Sequence, residues 1–312
     1  MDKALFLGPL DRVLLLRTLP ILQGLGPVQL AAIAQHAQER FLPRDTVLHL
    51  ADGVNDAIHL IVDGEVEVRR QGGPPRTVSS GAAVGFTAML SRSNPGLDVR
   101  VNVDTTTLEL DWDAQLDVCE EHFPVLMQYL AYVAGSTVEK LERRPIADMK
   151  SVPLIEAQRF GSRLNLVERV LLLSRSSAFS NGCLDALSEL AHHVNEATWS
   201  AGEQIWARGD RADYFLLLAS GSMRCRLQPT ASFDCPAGNV VGMHETLSQE
   251  PRWHDAVCRQ DTVALKIDIE PFIDILEDHF DLALDFLALL AVNLMALEAT
   301  DAALPSAEIS RD

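Results

Sequence analysis

The sequence predicts an α+β chain, mainly β, in which two tandem copies of one antiparallel, strand-rich domain are each flanked by helices. Three observations predict it: an internal repeat held in one register, a period of two inside each copy, and helical periods before and after each copy.

Residues 43–64 read PRDTVLHLADGVNDAIHLIVDG and residues 200–221 read SAGEQIWARGDRADYFLLLASG, which places Gly64 and Gly221 157 positions apart. The same ungapped offset pairs Asp56 with Asp213, Leu60 with Leu217, Gly81 with Gly238 and Val84-Gly85 with Val241-Gly242. It continues through Leu90 and Leu247, Asp98 and Asp255, Asp111 and Asp268, Glu120 and Glu277, and His122-Phe123 and His279-Phe280. Upstream, Arg12 to Leu16 matches Arg169 to Leu173. One register kept over that distance marks duplicated units.

Inside each copy the period is two. Val66 and Val68 alternate with Glu65, Glu67 and Arg69, and Met223, Cys225 and Leu227 alternate with Arg224 and Arg226. Thr106, Leu108 and Leu110 alternate with Thr107, Glu109 and Asp111, as Val263, Leu265 and Ile267 do with Ala264, Lys266 and Asp268. These are half-buried antiparallel strands.

Helical periods over residues 22–37 and 179–194 lead into the two copies, and longer helices over 115–141 and 272–298 close them. The last is apolar on most sides, through Leu282, Leu284, Phe286, Leu287, Leu290, Leu294 and Met295 among others. A surface helix carries a narrower stripe, so this one packs on two sides. Its extra face meets the first copy or a second subunit, or is buried within its own copy. Pro145 and Pro153 break the pattern between the copies. The expected organisation is a first domain over 12–141, a linker over 142–165, a second domain over 166–298 and a tail over 299–312.

The length of 312 residues suits two domains of about 150. With 44 acidic and 26 basic side chains the net charge is −18, which repels nucleic-acid phosphates and anionic membranes. Arg143, Arg144 and Lys150 are interleaved with Glu139, Glu142 and Asp148 and read as a solvated helix end. No apolar run approaches the ~20 residues that span a bilayer; the longest covers 286–297. The start lacks the pattern of a signal peptide. The expectation is no nucleic acid, no membrane insertion and a cytoplasmic location. The five cysteines, Cys119, Cys183, Cys225, Cys235 and Cys258, are odd in number and scattered, and read as reduced core thiols.

The segment GEQIWARGDRADYFLLLASGSM, residues 202–223, resembles the signature of the cyclic nucleotide-binding domain family through Gly202, Gly209-Asp210 and Gly221. The first copy carries it in weaker form, with Asp45 and Asp52-Gly53 in those places. The resemblance covers nearly the whole chain, once per copy, and implies two jelly-roll β-rolls. It also implies a phosphate-binding cassette in each: Gly-Glu, a short helical turn, then an arginine followed by small residues. In that family the helix start and the arginine take the cyclic phosphate and the glutamate takes the ribose hydroxyl.

Against that pattern, the first copy reads Gly85-Phe86, with Pro95 in the arginine's place. Neither charged contact can form, Phe86 is expected to fill the cavity, and the site is expected to be lost. The second copy reads Gly242-Met243-His244-Glu245, then Arg252-Trp253-His254. Arg252 matches the phosphate arginine, Met243 replaces the glutamate, and Trp253 and His254 add volume where small residues belong. Glu245, two positions late, is expected to point elsewhere on its helix. Two readings of Arg252 stay open: an anion ligand, with cyclic AMP or cyclic GMP as the implied cofactor, or a surface arginine paired with Glu250 or Asp255.

No GxSxG, HExxH or GxxxxGKS motif occurs, and adjacent His192-His193 point to different faces, so neither catalysis nor a metal site is expected. Residues 299–312 contain no recognition helix of the kind that follows the roll in transcription factors of this family. The Arg143-Arg144-Pro145-Ile146 stretch lies in the linker, unlike the inhibitor arm of cyclic-nucleotide-dependent kinase regulatory subunits. The function read from the sequence is a non-enzymatic regulatory or adaptor protein acting through an unidentified protein partner, with a homodimer through 272–298. The alternative is a cyclic-nucleotide-gated sensor that binds its ligand in the second domain.

Overall fold

The computed structural model describes residues 7–49, 55–70, 73–92, 96–143, 163–228 and 231–303. Asp52-Gly53, Pro95, Arg144 and the expected linker prolines lie outside them. The chain divides into two compact units, Met1–Tyr132 with Leu287–Asp312, and Val133–Phe286.

In the first unit, α1 (Pro9–Leu16) and α2 (Pro27–His36) precede β1 (Gln38–Leu42), β2 (Val47–His49), β3 (Ala57–Asp63), β4 (Glu65–Arg70), β5 (Arg76–Ser79) and β6 (Ala83–Val84). A short helix, α3 (Phe86–Leu90), leads to β7 (Leu97–Val101) and β8 (Thr105–Asp111), followed by α4 (Trp112–Glu121) and α5 (Phe123–Arg143), whose residues from Val133 onward fall in the second unit. The second unit repeats this with α6 (Leu166–Arg175), α7 (Leu184–His193), β9 (Asn195–Trp199), β10 (Gln204–Trp206), β11 (Tyr214–Ser220) and β12 (Ser222–Gln228). After β13 (Ala231–Pro236) and β14 (Val240–Val241) come α8 (Met243–Ser248), β15 (Asp255–Cys258), β16 (Thr262–Asp268), α9 (Ile269–Asp278) and α10 (Phe280–Ala303), whose residues from Leu287 onward fall in the first unit. Each unit holds two four-stranded antiparallel sheets, in the orders β1-β8-β3-β6 and β2-β7-β4-β5, then β9-β16-β11-β14 and β10-β15-β12-β13. This is the expected pair of jelly-roll-like domains, although helices hold more of the described residues than strands do.

The repeat holds at the level of atoms. Arg12 donates to the Ala37 carbonyl at 2.8 Å, and Arg169 to the Val194 carbonyl at 3.1 Å. The Leu7 amide donates to Glu39 at 2.7 Å, and the Leu164 amide to Glu196 at 2.7 Å. Gly64 and Gly221 turn between strands at φ of 100° and 80°. A Cβ at either would strike Thr105 or Thr262, which are themselves 157 positions apart. Cys225, Cys235 and Cys258 stand where the first unit has Val68, Val78 and Val101, and all six are buried, so these thiols fill core space.

Four expectations change. The lead-in helices start later, at Pro27 and Leu184, because Gly24, Gly26 and Gly182 precede them and Pro27 suits a first helical turn. Each closing helix is two helices, interrupted at His122 (ψ 74°) and His279 (ψ 71°). Pro124, in the first turn of α5, cannot donate to α4; in the second unit His279 is held by Glu189 at 2.8 Å. The alternation in β8 and β16 fails at Thr107 and Ala264, both fully buried, because each strand is central in its sheet and covered on both faces. Finally, Phe280–Ala299 is long and apolar enough by composition to cross a membrane, with a mean hydropathy of 1.9, since the helix tolerates Asp281 and Asp285 within it.

That helix carries core residues. Phe286 joins Phe179, Phe215 and Phe272 in a ring cluster with centroids 5.2–6.4 Å apart in the second unit. Met295 belongs to the first unit's core with Ile61, Val66 and Val99. Both facts follow the division of the chain, in which α10 up to Phe286 belongs to the second unit and α10 from Leu287 onward belongs to the first.

Asp45 occupies the left-handed region at φ 68°, where its counterpart Gly202 has φ 85°. Asp45→Gly is expected to relieve strain and raise stability by about 0.5–1 kcal/mol, whereas Gly221→Ala costs upward of about 2 kcal/mol. Urea denaturation of the three proteins side by side measures both; an unchanged Gly221→Ala midpoint contradicts the steric account.

Candidate functional site

The residues expected to form the second unit's cassette lie on α8 and the segment that follows it. Gly242 enters α8 in the left-handed region at φ 86°, as Gly85 enters α3 at 88°. After α8 the chain turns through Gln249, also left-handed at φ 57°, and returns as Pro251–His254. The signature residues hold this return. The Gly209 amide donates to the Arg252 carbonyl at 2.8 Å, and the Arg252 amide donates to the Asp210 carbonyl at 2.8 Å. The Asp210 carboxylate in turn accepts from the Ala207 amide at 2.8 Å, which closes the turn.

Arg252 is therefore fixed by its backbone, and its side chain runs inward, only 1% exposed. It donates to the Gly242 carbonyl at 3.0 Å, to Thr246 Oγ1 at 3.3 Å, and to the Tyr214 carbonyl. Its guanidinium lies over the Trp206 ring at 4.1 Å and near the Tyr214 ring at 5.0 Å. A Cβ on Gly242 would come within 2.5 Å of the guanidinium, so this approach needs glycine there. The surface pairing with Glu250 or Asp255 does not occur.

Glu245, expected to point elsewhere, is turned inward and pairs with Arg252 at 3.5 Å. It is the third residue of α8, and side chains lean toward a helix's start, which brings its carboxylate back to the arginine. Burial pushes its carboxyl above the usual range while Arg252's charge opposes the rise. Burial likewise lowers the Arg252 guanidinium. Glu245 Oε1 and Arg252 Nε have no hydrogen-bond partner.

Aromatic and imidazole rings pack around the pair. Trp206 donates its ring N–H to His254 Nδ1 at 3.3 Å, which leaves the proton on Nε2, 3.9 Å from Glu245. Trp253 packs on His254 with centroids 4.8 Å apart and stacks on Phe233 at 6.0 Å. Burial brings His254 down to about 4, with Arg252's charge acting in the same sense. His244 is also at about 4 through burial, and its Nε2 lacks a partner. Met243 is buried beside them. Of the predicted residues, Gly242, Glu245, Arg252, Trp253 and His254 thus converge. Sequence reasoning missed Trp206 and Tyr214, whose roles depend on strand pairing, and Thr246, which stands one helical turn after Gly242 on α8.

In the first unit the Gly85 carbonyl accepts from Asn55 Nδ2 at 2.6 Å, the counterpart of the Arg252–Gly242 bond. Phe86 packs edge-on against Tyr129 at 5.6 Å and Tyr132 at 5.9 Å, on α5. Buried His59, near Thr107 at 3.4 Å, is also brought down to about 4 by burial.

Residues 196–279 match the family described as cyclic nucleotide-binding domain. A search of curated protein sequences gave no significant match. Among solved structures, the chain is similar to a triple mutant of the regulatory subunit of a cAMP-independent protein kinase A from Trypanosoma brucei, bound to cAMP in the A site. That likeness is at 17% identity over 89% of this chain and 93% of that one, with a TM-score of 0.33. The regulatory domain of Toxoplasma gondii PKA with cAMP gives 14%, 90%, 97% and 0.34. A cyclic nucleotide-binding domain from Methylobacillus flagellatus gives 15%, 44%, 79% and 0.37.

The buried histidines set a pH dependence. A folded-state value near 4 against the ordinary 6.5 means that the unfolded chain binds the extra proton between those limits. Stability is fully present above pH 6.5 and is lost as the pH falls toward 4, by at most about 3 kcal/mol per histidine. Glu245, shifted upward, acts in the opposite sense. Melting temperatures from pH 8 to 4.5 are expected to be level at first and then to fall, with a shallower fall for His254→Gln. An equal slope in that variant would place the titration elsewhere.

Proposed function

We propose that this chain, whose residues 196–279 fall within the cyclic nucleotide-binding domain family, is a non-enzymatic regulatory or adaptor protein of the cytoplasm that acts through protein contact. The observation that carries this reading is the state of Arg252. Its two terminal nitrogens donate to two carbonyls and a hydroxyl of its own chain, Glu245 lies beside them, and aromatic rings pack around the guanidinium. The second unit keeps the family's arginine but spends it on its own structure.

Contact surfaces support the same reading. Leu10 and Leu14 are exposed on α1, and their repeat counterparts Val167 and Leu171 are exposed on α6. In α10, Val292 is an exposed large apolar side chain, 43% accessible. A second copy of the chain is the occupant proposed for that helix face, since the strongly acidic surface leaves apolar area as the remaining driving force.

Two measurements test the proposal. Melting with and without millimolar cyclic AMP or cyclic GMP is expected to show no shift; a rise abolished by Arg252→Ala favours the gated sensor. Light scattering is expected to give twice the chain mass, reduced to the chain mass by Val292→Glu. A wild-type monomer at all concentrations withdraws the dimer.

A further inference from the structure

We infer that Glu245 is a built-in counter-anion that closes the Arg252 site against anions from solution. This deepens the proposed function, on which it rests for the view that the native site is closed.

The argument starts from the burial of both partners, whose side chains are 0% and 2% exposed. A guanidinium in that position requires a negative charge, and Glu245 is the carboxylate beside it. Yet the pair lacks the geometry that an arginine–carboxylate contact takes when it is free to choose. Such pairs form two parallel bonds at ~2.7–2.9 Å. Here the separation is 3.5 Å, Glu245 Oε1 accepts no hydrogen bond, and Arg252 Nε donates none.

The misfit has a cause in the fold. The Glu245 carboxylate is tethered to α8, whose residues Gly242 and Thr246 hold the same guanidinium at 3.0 and 3.3 Å. A side chain anchored on that turn cannot slide along the fork to reach Nε. A free anion with several oxygens has no such tether and could satisfy Nε and a terminal nitrogen together. The site therefore holds a charge of the right sign in a shape that leaves Arg252 Nε unused, as expected of a substitute. His254 Nε2, 3.9 Å from the same oxygen, borders the space that the carboxylate fills.

Removing the carboxylate should open the site to phosphate-class anions. The test compares wild type, Glu245→Gln, Glu245→Ala and the double variant Glu245→Ala/Arg252→Met by thermal melting in chloride buffer, with inorganic phosphate and cyclic AMP as separate probes. Wild type is expected to be indifferent to both. Glu245→Ala is expected to melt lower than wild type and to regain about 3–5 °C when phosphate is ten times its dissociation constant. Glu245→Gln, which keeps the volume, covers the case in which the alanine variant does not fold. The double variant should show no regain. A response to cyclic AMP but not to phosphate would assign the opened site to nucleotides, and a response to both to the phosphate alone; either supports the inference. No gain in a folded Glu245→Ala or, where that variant does not fold, in Glu245→Gln, or an equal gain in the double variant, overturns it. A wild-type response to cyclic AMP would instead defeat the proposed function.

Discussion

A guanidinium without water must be given a counter-charge and hydrogen-bond acceptors by the protein, at a desolvation cost of several kcal/mol if it is not. Arg252 imposes that requirement on the second unit, and much of the local structure answers it. The Gly209-Asp210 turn fixes its backbone in both directions. Gly242 omits a Cβ so that its carbonyl can be reached, and Tyr214, on β11, supplies a second carbonyl. Trp206 offers the face of its ring to the charge. Glu245 provides the neutralising charge, and its own raised carboxyl shows that it too bears a burial cost.

The first unit shows what happens when the requirement is absent. The repeat places Ala88 opposite Glu245 and Pro95 opposite Arg252, so that cation and anion are missing together. Gly96 and Leu97 stand for Trp253 and His254, and Leu97 is core. The carbonyl that Arg252 satisfies in one unit is satisfied in the other by the neutral amide of Asn55, which needs no counter-ion. Phe86 is then free to pack on Tyr129 and Tyr132. Charge pair and aromatic filling behave as one feature, present or absent as a set, as expected when either half alone would be costly.

The duplicated rolls were legible because register and glycine placement are local properties of the chain. Gly64 and Gly221 marked turns that only glycine fits, and the offset carried that inference across both units. The helix breaks at His122 and His279 were not legible, since the apolar period continues through them and only tertiary contacts show the interruption. In the site, residue types indicated that Arg252 mattered but gave no sign of its direction. Its inward course depends on two bonds to a turn over forty residues earlier in the chain and on carbonyls from β11. Glu245 was misjudged for a related reason: the backward lean of helical side chains matters only once the arginine's position is known.

An arginine held this way changes what ligand entry would require. An incoming phosphate would have to separate a buried ion pair and displace packed rings before gaining any contact of its own. The free energy of such an exchange is the difference between two charge-assisted interactions with the same guanidinium, and so is smaller than either. Affinity is then governed less by the arginine, which is present in both states, than by how poorly Glu245 fits it. The carboxylate, added to the second unit where the first has a methyl group, therefore sets the threshold that an outside anion must exceed. Changes that alter the fit of that one side chain would alter the threshold without touching the fold.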